Sequence, residues 1–185
     1  MGKNSFGTAA KTAVDTAAFE GLKEQSLTPD EFCTKLAKAL RVRPTEVALL
    51  RLDKGLLRFL FPDALKTAGA IPVSSSSSVA AHTAIAKKVE LYNGFTKVKH
   101  ASIFEAVRLD KPEDKETITA PEHSPIQKLM SAPVLNEQGK VLGVIQISRK
   151  GSDLRSAGPD FTLDDLQQLE KVAQIVANSP FMQPS

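Results

Sequence analysis

The sequence predicts one α+β domain, and three features carry that reading. Helix start and stop signals converge near both ends of the chain, two pairs of apolar runs are each joined by a turn, and the elements alternate as helix, sheet, helix, sheet, helix. The composition agrees: 185 residues, 42% hydrophobic and 24% charged, describe an ordinary globular protein with enough chain to bury a sizeable core. Lys plus Arg at 24 against Asp plus Glu at 21 leaves a net charge of +3, with no basic block to concentrate it, which argues against a nucleic-acid partner. The single cysteine, Cys33, excludes an intrachain disulfide framework and any cysteine-rich zinc or iron–sulfur site, and it suits a reducing, cytoplasmic setting.

From the N-terminus, Met1–Gly21 lacks the uninterrupted apolar block of a secretory signal, and Phe6 stands where myristoylation needs Ser or Thr. No run of about 18 apolar residues exists, so neither a spanning helix nor a membrane partner is expected. Ala9–Phe19 is alanine-rich, with Val14 and Phe19 as its larger apolar residues; so thin a stripe needs a partner surface, and residues 1–27 read as a helical extension used for dimerisation. The next helix is better marked. Thr28 reads as N-cap, Pro29 as first helical residue and Glu31 as the far side of a capping box, with Leu27 stapled onto Phe32. Cys33, Leu36 and Leu40 then share one face until Pro44 forbids continuation, which makes Cys33 a core residue.

Val47–Leu52 and Leu56–Phe61, joined by Asp53-Lys54-Gly55, read as a β-hairpin. One of Ser74–Ser78 caps a helix over Val79–Lys88, and the mixed charges of Arg108–Glu116 read as an exposed loop. Pro133-Val134-Leu135, the polar turn Asn136–Lys140 and Val141–Ser148 form a second hairpin. Alternation puts Val141, Gly143, Ile145 and Ile147 in the core and turns Leu142, Val144, Gln146 and Ser148 towards polar surroundings. The last helix starts at Thr162, with Asp165 closing its capping box and Phe161 stapled onto Leu166; its stripe of Leu166, Leu169, Ala173 and Val176 ends at Asn178 before Pro180.

The run from Ser124 to Leu135 followed by Gly139 to Lys150 resembles the core signature of GAF domains, and Phe161-Thr162-Leu163-Asp164-Asp165-Leu166 is similar to the opening of that family's final helix. Val79–Asn93 is similar to the helix and short strand that precede the family's ligand pocket. The resemblance spans roughly Thr28 to Ala177, so residues 28–178 read as a GAF-like domain and 179–185 as a tail. It implies a central antiparallel sheet of about five or six strands, terminal helices on one face, and shorter helices over a pocket on the other.

The same resemblance implies a role in sensing or dimerisation, and together with the cysteine usage the chain reads as a cytoplasmic regulatory module that senses a small molecule and acts through a partner. The alternatives are a ligand-free dimerisation module and, as a minor one, a haem-binding sensor. The wall of the pocket is expected to include Tyr92–Phe104, a helix over Ser124–Met130 and the inner side of the sheet. Asn93, His100, Lys128 and Ser131 are the candidate polar contacts, and Tyr92, Phe95 and Phe104 the apolar walls. Lys128 and His100 together would suit an anionic ligand.

Of the Asn-Lys, Phe, Asp-Glu motif of cyclic-nucleotide-binding members, Lys150, Phe161 and Asp165 match, whereas Arg149 and Leu166 replace the Asn and the Glu; the three matching residues read as structural. No enzymatic reading is supported. The free methionine sulfoxide reductases of the family need two thiols and Cys33 is one. Bilin attachment needs a cysteine beside a histidine, and Lys99 precedes His100. His82, His100 and His123 stand 18 and 23 residues apart, which matches no local ligand pair, and no metal site or cofactor is assigned.

Overall fold

The computed structural model describes residues 19–67, 69–95 and 124–184. Most of the expected helix Ala9–Phe19, together with the loop Arg108–Glu116, His100, Phe104 and His123, lies outside the described residues.

Helix α1 (Pro29–Ala39) begins where its signals converge: the Glu31 amide donates to Thr28 Oγ1 at 3.2 Å and the Thr28 amide donates to Glu31 Oε2 at 2.8 Å. Phe32, Cys33, Leu36 and Ala37 are its buried face, and Leu27 joins Phe32 in the same cluster. A 3-10 turn, Pro44–Glu46, leads into β1 (Val47–Asp53) and β2 (Leu56–Phe61). Their two-residue connection takes Lys54 and Gly55 to positive φ, +50° and +77°, the handedness that matches strand twist in a tight hairpin. Then come α2 (Asp63–Lys66), β3 (Ala70–Pro72), α3 (Val79–Ala86), β4 (Glu90–Tyr92), β5 (Ile126–Leu135), β6 (Val141–Lys150) and α4 (Leu163–Val176). Among the five serines, Ser78 is the cap, its Oγ accepting from the Ala81 amide at 3.2 Å.

Among the described residues six strands form one antiparallel sheet in the order β3-β2-β1-β6-β5-β4. One face packs on α1 and α4 through Val47, Leu49, Met130, Ile145 and Ile147; the other packs on α3 through Ala48, Leu50, Leu57, Leu129 and Val144. A turn at Pro180–Met182 returns the chain to the first of these cores. Met182 is buried there and Phe181 meets Phe32 edge to face at 6.1 Å, so much of the expected tail is docked.

Two sequence expectations are corrected. Ser124–Met130 is not a helix over the pocket; Ile126–Met130 is the first half of β5, laddered to β6 from Ile126 opposite Lys150 to Leu135 opposite Val141. A short apolar run flanked by polar residues does not set its own period, and neighbouring strands on both sides decide it. The faces of β6 also differ from simple alternation, because all eight residues from Val141 to Ser148 are buried. Leu142 lies with Ile145 and Ile147 on the α1/α4 side, while Val141 and Val144 lie on the α3 side. The phase changes at Gly143, beside the register shift between Val134 and Leu135. A Cβ at Gly143 would stand 2.0 Å from the Leu50 carbonyl oxygen, so only glycine permits the approach of β1.

Candidate ligand-sensing site

On the α3 face a seam of neutral polar side chains lies among the apolar residues of the sheet, with Glu90 opposite Ser131 at its edge. Thr83 Oγ1 lies 2.8 Å from Ser131 Oγ, and Gln146 Nε2 donates to the same Ser131 oxygen at 3.2 Å. All three residues are fully buried. Gln146 Oε1 has no hydrogen-bond partner. Rotating the carboxamide would only exchange which of its ends is unpaired, since Ser131 can donate or accept. An unpaired buried carboxamide group costs about 1–3 kcal/mol, which sets this atom apart from the satisfied hydroxyls beside it. Of these residues the sequence pointed to Ser131 and put Gln146 in polar surroundings; Thr83, inside an alanine-rich helix, carried no signal.

At the edge strand, Glu90 holds two partners. His82 Nδ1 on α3 pairs with its Oε1, and the Tyr92 hydroxyl donates to its Oε2 at 2.6 Å. Burial, reinforced by the hydrogen bond and charge of Glu90, raises the Tyr92 phenol above its usual range, which makes it a persistently neutral donor. Its ring meets Phe95 edge to face at 6.1 Å, and Phe95 is buried in the α3-face core. Tyr92, Phe95 and Ser131 therefore gather on or beside the α3 face.

Lys128 and Asn93 do not. Lys128 shares the face of Met130, where its Nζ donates to the Gly158 carbonyl at 2.5 Å and pairs with Asp160 at 2.8 Å. Asn93 turns to Phe161: its Nδ2 donates to the Phe161 carbonyl at 2.9 Å and its Oδ1 accepts from the Phe161 amide at 2.8 Å. The Phe161 ring is buried with the Arg149 guanidinium 4.7 Å above it, and Asp165 closes the capping box, accepting from the Thr162 amide at 2.8 Å. The Lys150 amide donates to the buried Glu46 carboxylate at 2.6 Å.

Two grooves open on the opposite side of the sheet. One, of about 700 Å³, runs between Phe19–Gln25 and the second half of α4, with Leu22, Gln174 and Ile175 among its walls. The other, of about 400 Å³, lies between Lys87–Val89, β5 and α4. Cys33 is buried under α1; burial first, and then Asp30, pushes its thiol far above the reactive range. Among the described residues there is no group of three or more His, Cys, Asp or Glu side chains placed to hold a metal ion, and no helix long and apolar enough to cross a membrane.

The GAF domain family model matches residues 30–179. The chain belongs to the GAF family. Solved structures repeat the fold. The GAF domain of an Acinetobacter phosphoenolpyruvate-protein phosphotransferase superimposes with a TM-score of 0.60 at 12% identity, covering 91% of this chain and 93% of that one. A type II free methionine-R-sulfoxide reductase from Thermoplasma acidophilum gives 0.52 at 16% identity, covering 89% and 92%. Residues 122 to 287 of a methyl-accepting chemotaxis protein give the same values. Comparison with curated proteins finds no match. GAF structures thus include both signalling proteins and an enzyme, and membership alone sets the fold and a general sensory context.

Proposed function

We propose that this GAF domain is a non-enzymatic, cytoplasmic regulatory module that senses a small molecule on the α3 face of its sheet and acts through a protein partner. The supporting observation is the Thr83–Ser131–Gln146 seam, a fully buried polar cluster in which Gln146 Oε1 has no partner. The seam is neutral and Lys128 is committed to Asp160, so a neutral ligand suits it better than an anionic one. Against an enzymatic role of the reductase kind stands the thiol count, because the one cysteine is buried and protonated. Native mass spectrometry of the purified full chain, with an absorbance spectrum on the same sample, tests the reading. A retained mass that is lost in Gln146→Leu supports it; a chain of bare mass that gains none from a panel of small neutral metabolites refutes it. A Soret band would instead favour a haem sensor.

A second reading, dimerisation through the terminal helices, is favoured by the groove between Phe19–Gln25 and α4, where Phe19 and Ile175 are only partly covered. Light scattering across a concentration series tests it. Dimers that dissociate in Ile175→Glu support this reading, and a monomer at all concentrations refutes it.

A further inference from the structure

Asn93 stands one residue beyond β4, where the chain leaves the edge strand. Its carboxamide forms a two-bond ring with the peptide of Phe161, 68 residues away, using one donor and one acceptor on each side. Both flanks of this ring are anchored, and to opposite faces of the sheet. Two residues after Asn93, Phe95 is buried in the α3-face core against Tyr92. On the other flank, Phe161 is buried in the α1/α4 core beneath Arg149, and the next residue, Thr162, is the N-cap of α4.

The first turn of α4 has little else to hold it. Leu163 is 71% exposed, Asp164 is exposed and Leu166 is only partly buried. Its position therefore depends on the capping box, on Phe161 and on the two hydrogen bonds from Asn93.

We propose that the Asn93–Phe161 amide pair is a latch that couples the α3 face of the domain to the N-terminal turn of α4, so that movement at Tyr92–Phe95 is passed to the terminal helix. The geometry stands alone, while the use of the latch in signalling rests on the sensory reading above. Two net hydrogen bonds shift a local opening equilibrium by on the order of tenfold to a hundredfold. Coupling of this kind is reciprocal: loosening either flank must loosen the other, and only while the latch is intact.

Hydrogen–deuterium exchange on the full chain reads this in a cycle of wild type, Asn93→Ala, Asp165→Ala and the double variant. Asp165→Ala removes the capping bond to the Thr162 amide and frees the first turn. The expected result is faster exchange, about tenfold, at the Leu166 amide in Asn93→Ala, and faster exchange over Tyr92–Phe95 in Asp165→Ala that disappears when Asn93 is already alanine. Ile145, in the central strand β6, reports global unfolding and serves as the reference. An unchanged Leu166 amide, or an Asp165→Ala effect on Tyr92–Phe95 that is equal in both backgrounds, overturns the latch. Should Asn93→Ala fail to fold, Asn93→Asp keeps the acceptor, loses the donor, and supports the same comparison. Because the cycle uses no ligand, failure of the sensory reading would leave its result intact, and ligand binding with additive exchange effects would refute the latch alone.

Discussion

Replacing Glu46 by alanine should cost about 3 kcal/mol of stability. The carboxylate is 4% exposed and accepts four hydrogen bonds: from the Arg43 amide at 2.9 Å, Arg43 Nε and Nη2 at 3.1 Å each, and the Lys150 amide at 2.6 Å. Arg43 Nη2 also reaches the Lys150 carbonyl at 3.0 Å, so one carboxylate and one guanidinium tie the entry to β1 to the end of β6. Charge-assisted bonds contribute about 1.5–3 kcal/mol each, but they cannot be summed here. Arg43 is 34% exposed on its side chain, can regain water when its partner is lost, and is screened by solvent. What remains is the stranded Lys150 amide and the partly desolvated guanidinium, which sets the figure at the lower end of the 3–5 kcal/mol typical of a broken buried pair. Urea unfolding should give that difference, with Tm lower by about 6–12 °C for a chain of this size. Glu46→Gln, which retains one acceptor oxygen, should lose less. A loss below about 1 kcal/mol for the alanine variant would refute the assignment of this carboxylate as a structural tie.

Gln146→Leu should leave stability within about 1 kcal/mol of wild type or raise it, because it deletes an unpaired buried polar atom; a loss beyond about 2 kcal/mol in the same unfolding assay would show the carboxamide to be fully satisfied. Gly143→Ala should lose about 3 kcal/mol or fail to accumulate as folded protein, since its methyl would collide with the Leu50 carbonyl, which cannot give way as the neighbouring Met182 side chain can, and circular dichroism with urea unfolding checks it. The Glu31 carboxyl is held below its usual range, first by the Thr28 backbone amide. Its folded pKa being the lower one, its stabilisation is present above the ordinary carboxylate pKa of about 4.3 and is lost as pH falls through the folded value. Glu31→Gln should therefore flatten the acid limb of the stability–pH curve, and an unaltered limb would refute the cap.

The ends of elements were legible because they depend on neighbours in sequence. Thr28 with Glu31 and Thr162 with Asp165 form the capping boxes that their spacing predicts, and Lys54-Gly55 makes the tight turn. The run that resembled a GAF signature could be read because it spans the two longest strands and their turn. The site was less legible. Tyr92, Phe95 and Ser131 come to the α3 face, but Lys128 and Asn93, expected in the pocket wall from the resemblance and their polarity, do what residues far away in the chain, Asp160 and Phe161, decide.

By itself the sequence determined the family, the helix boundaries and the chemistry available: one cysteine, neutral polar residues among apolar strands, and caps at fixed spacings. Those properties rest on interactions within a few residues, where a local pattern carries the energy. Tertiary structure alone decided that Ile126–Met130 is strand, that β6 is buried on both faces with a change of phase at Gly143, and that Asn93 grips Phe161. Each is a pairing across tens of residues, whose free energy comes from a partner's backbone or from buried surface that no local window contains.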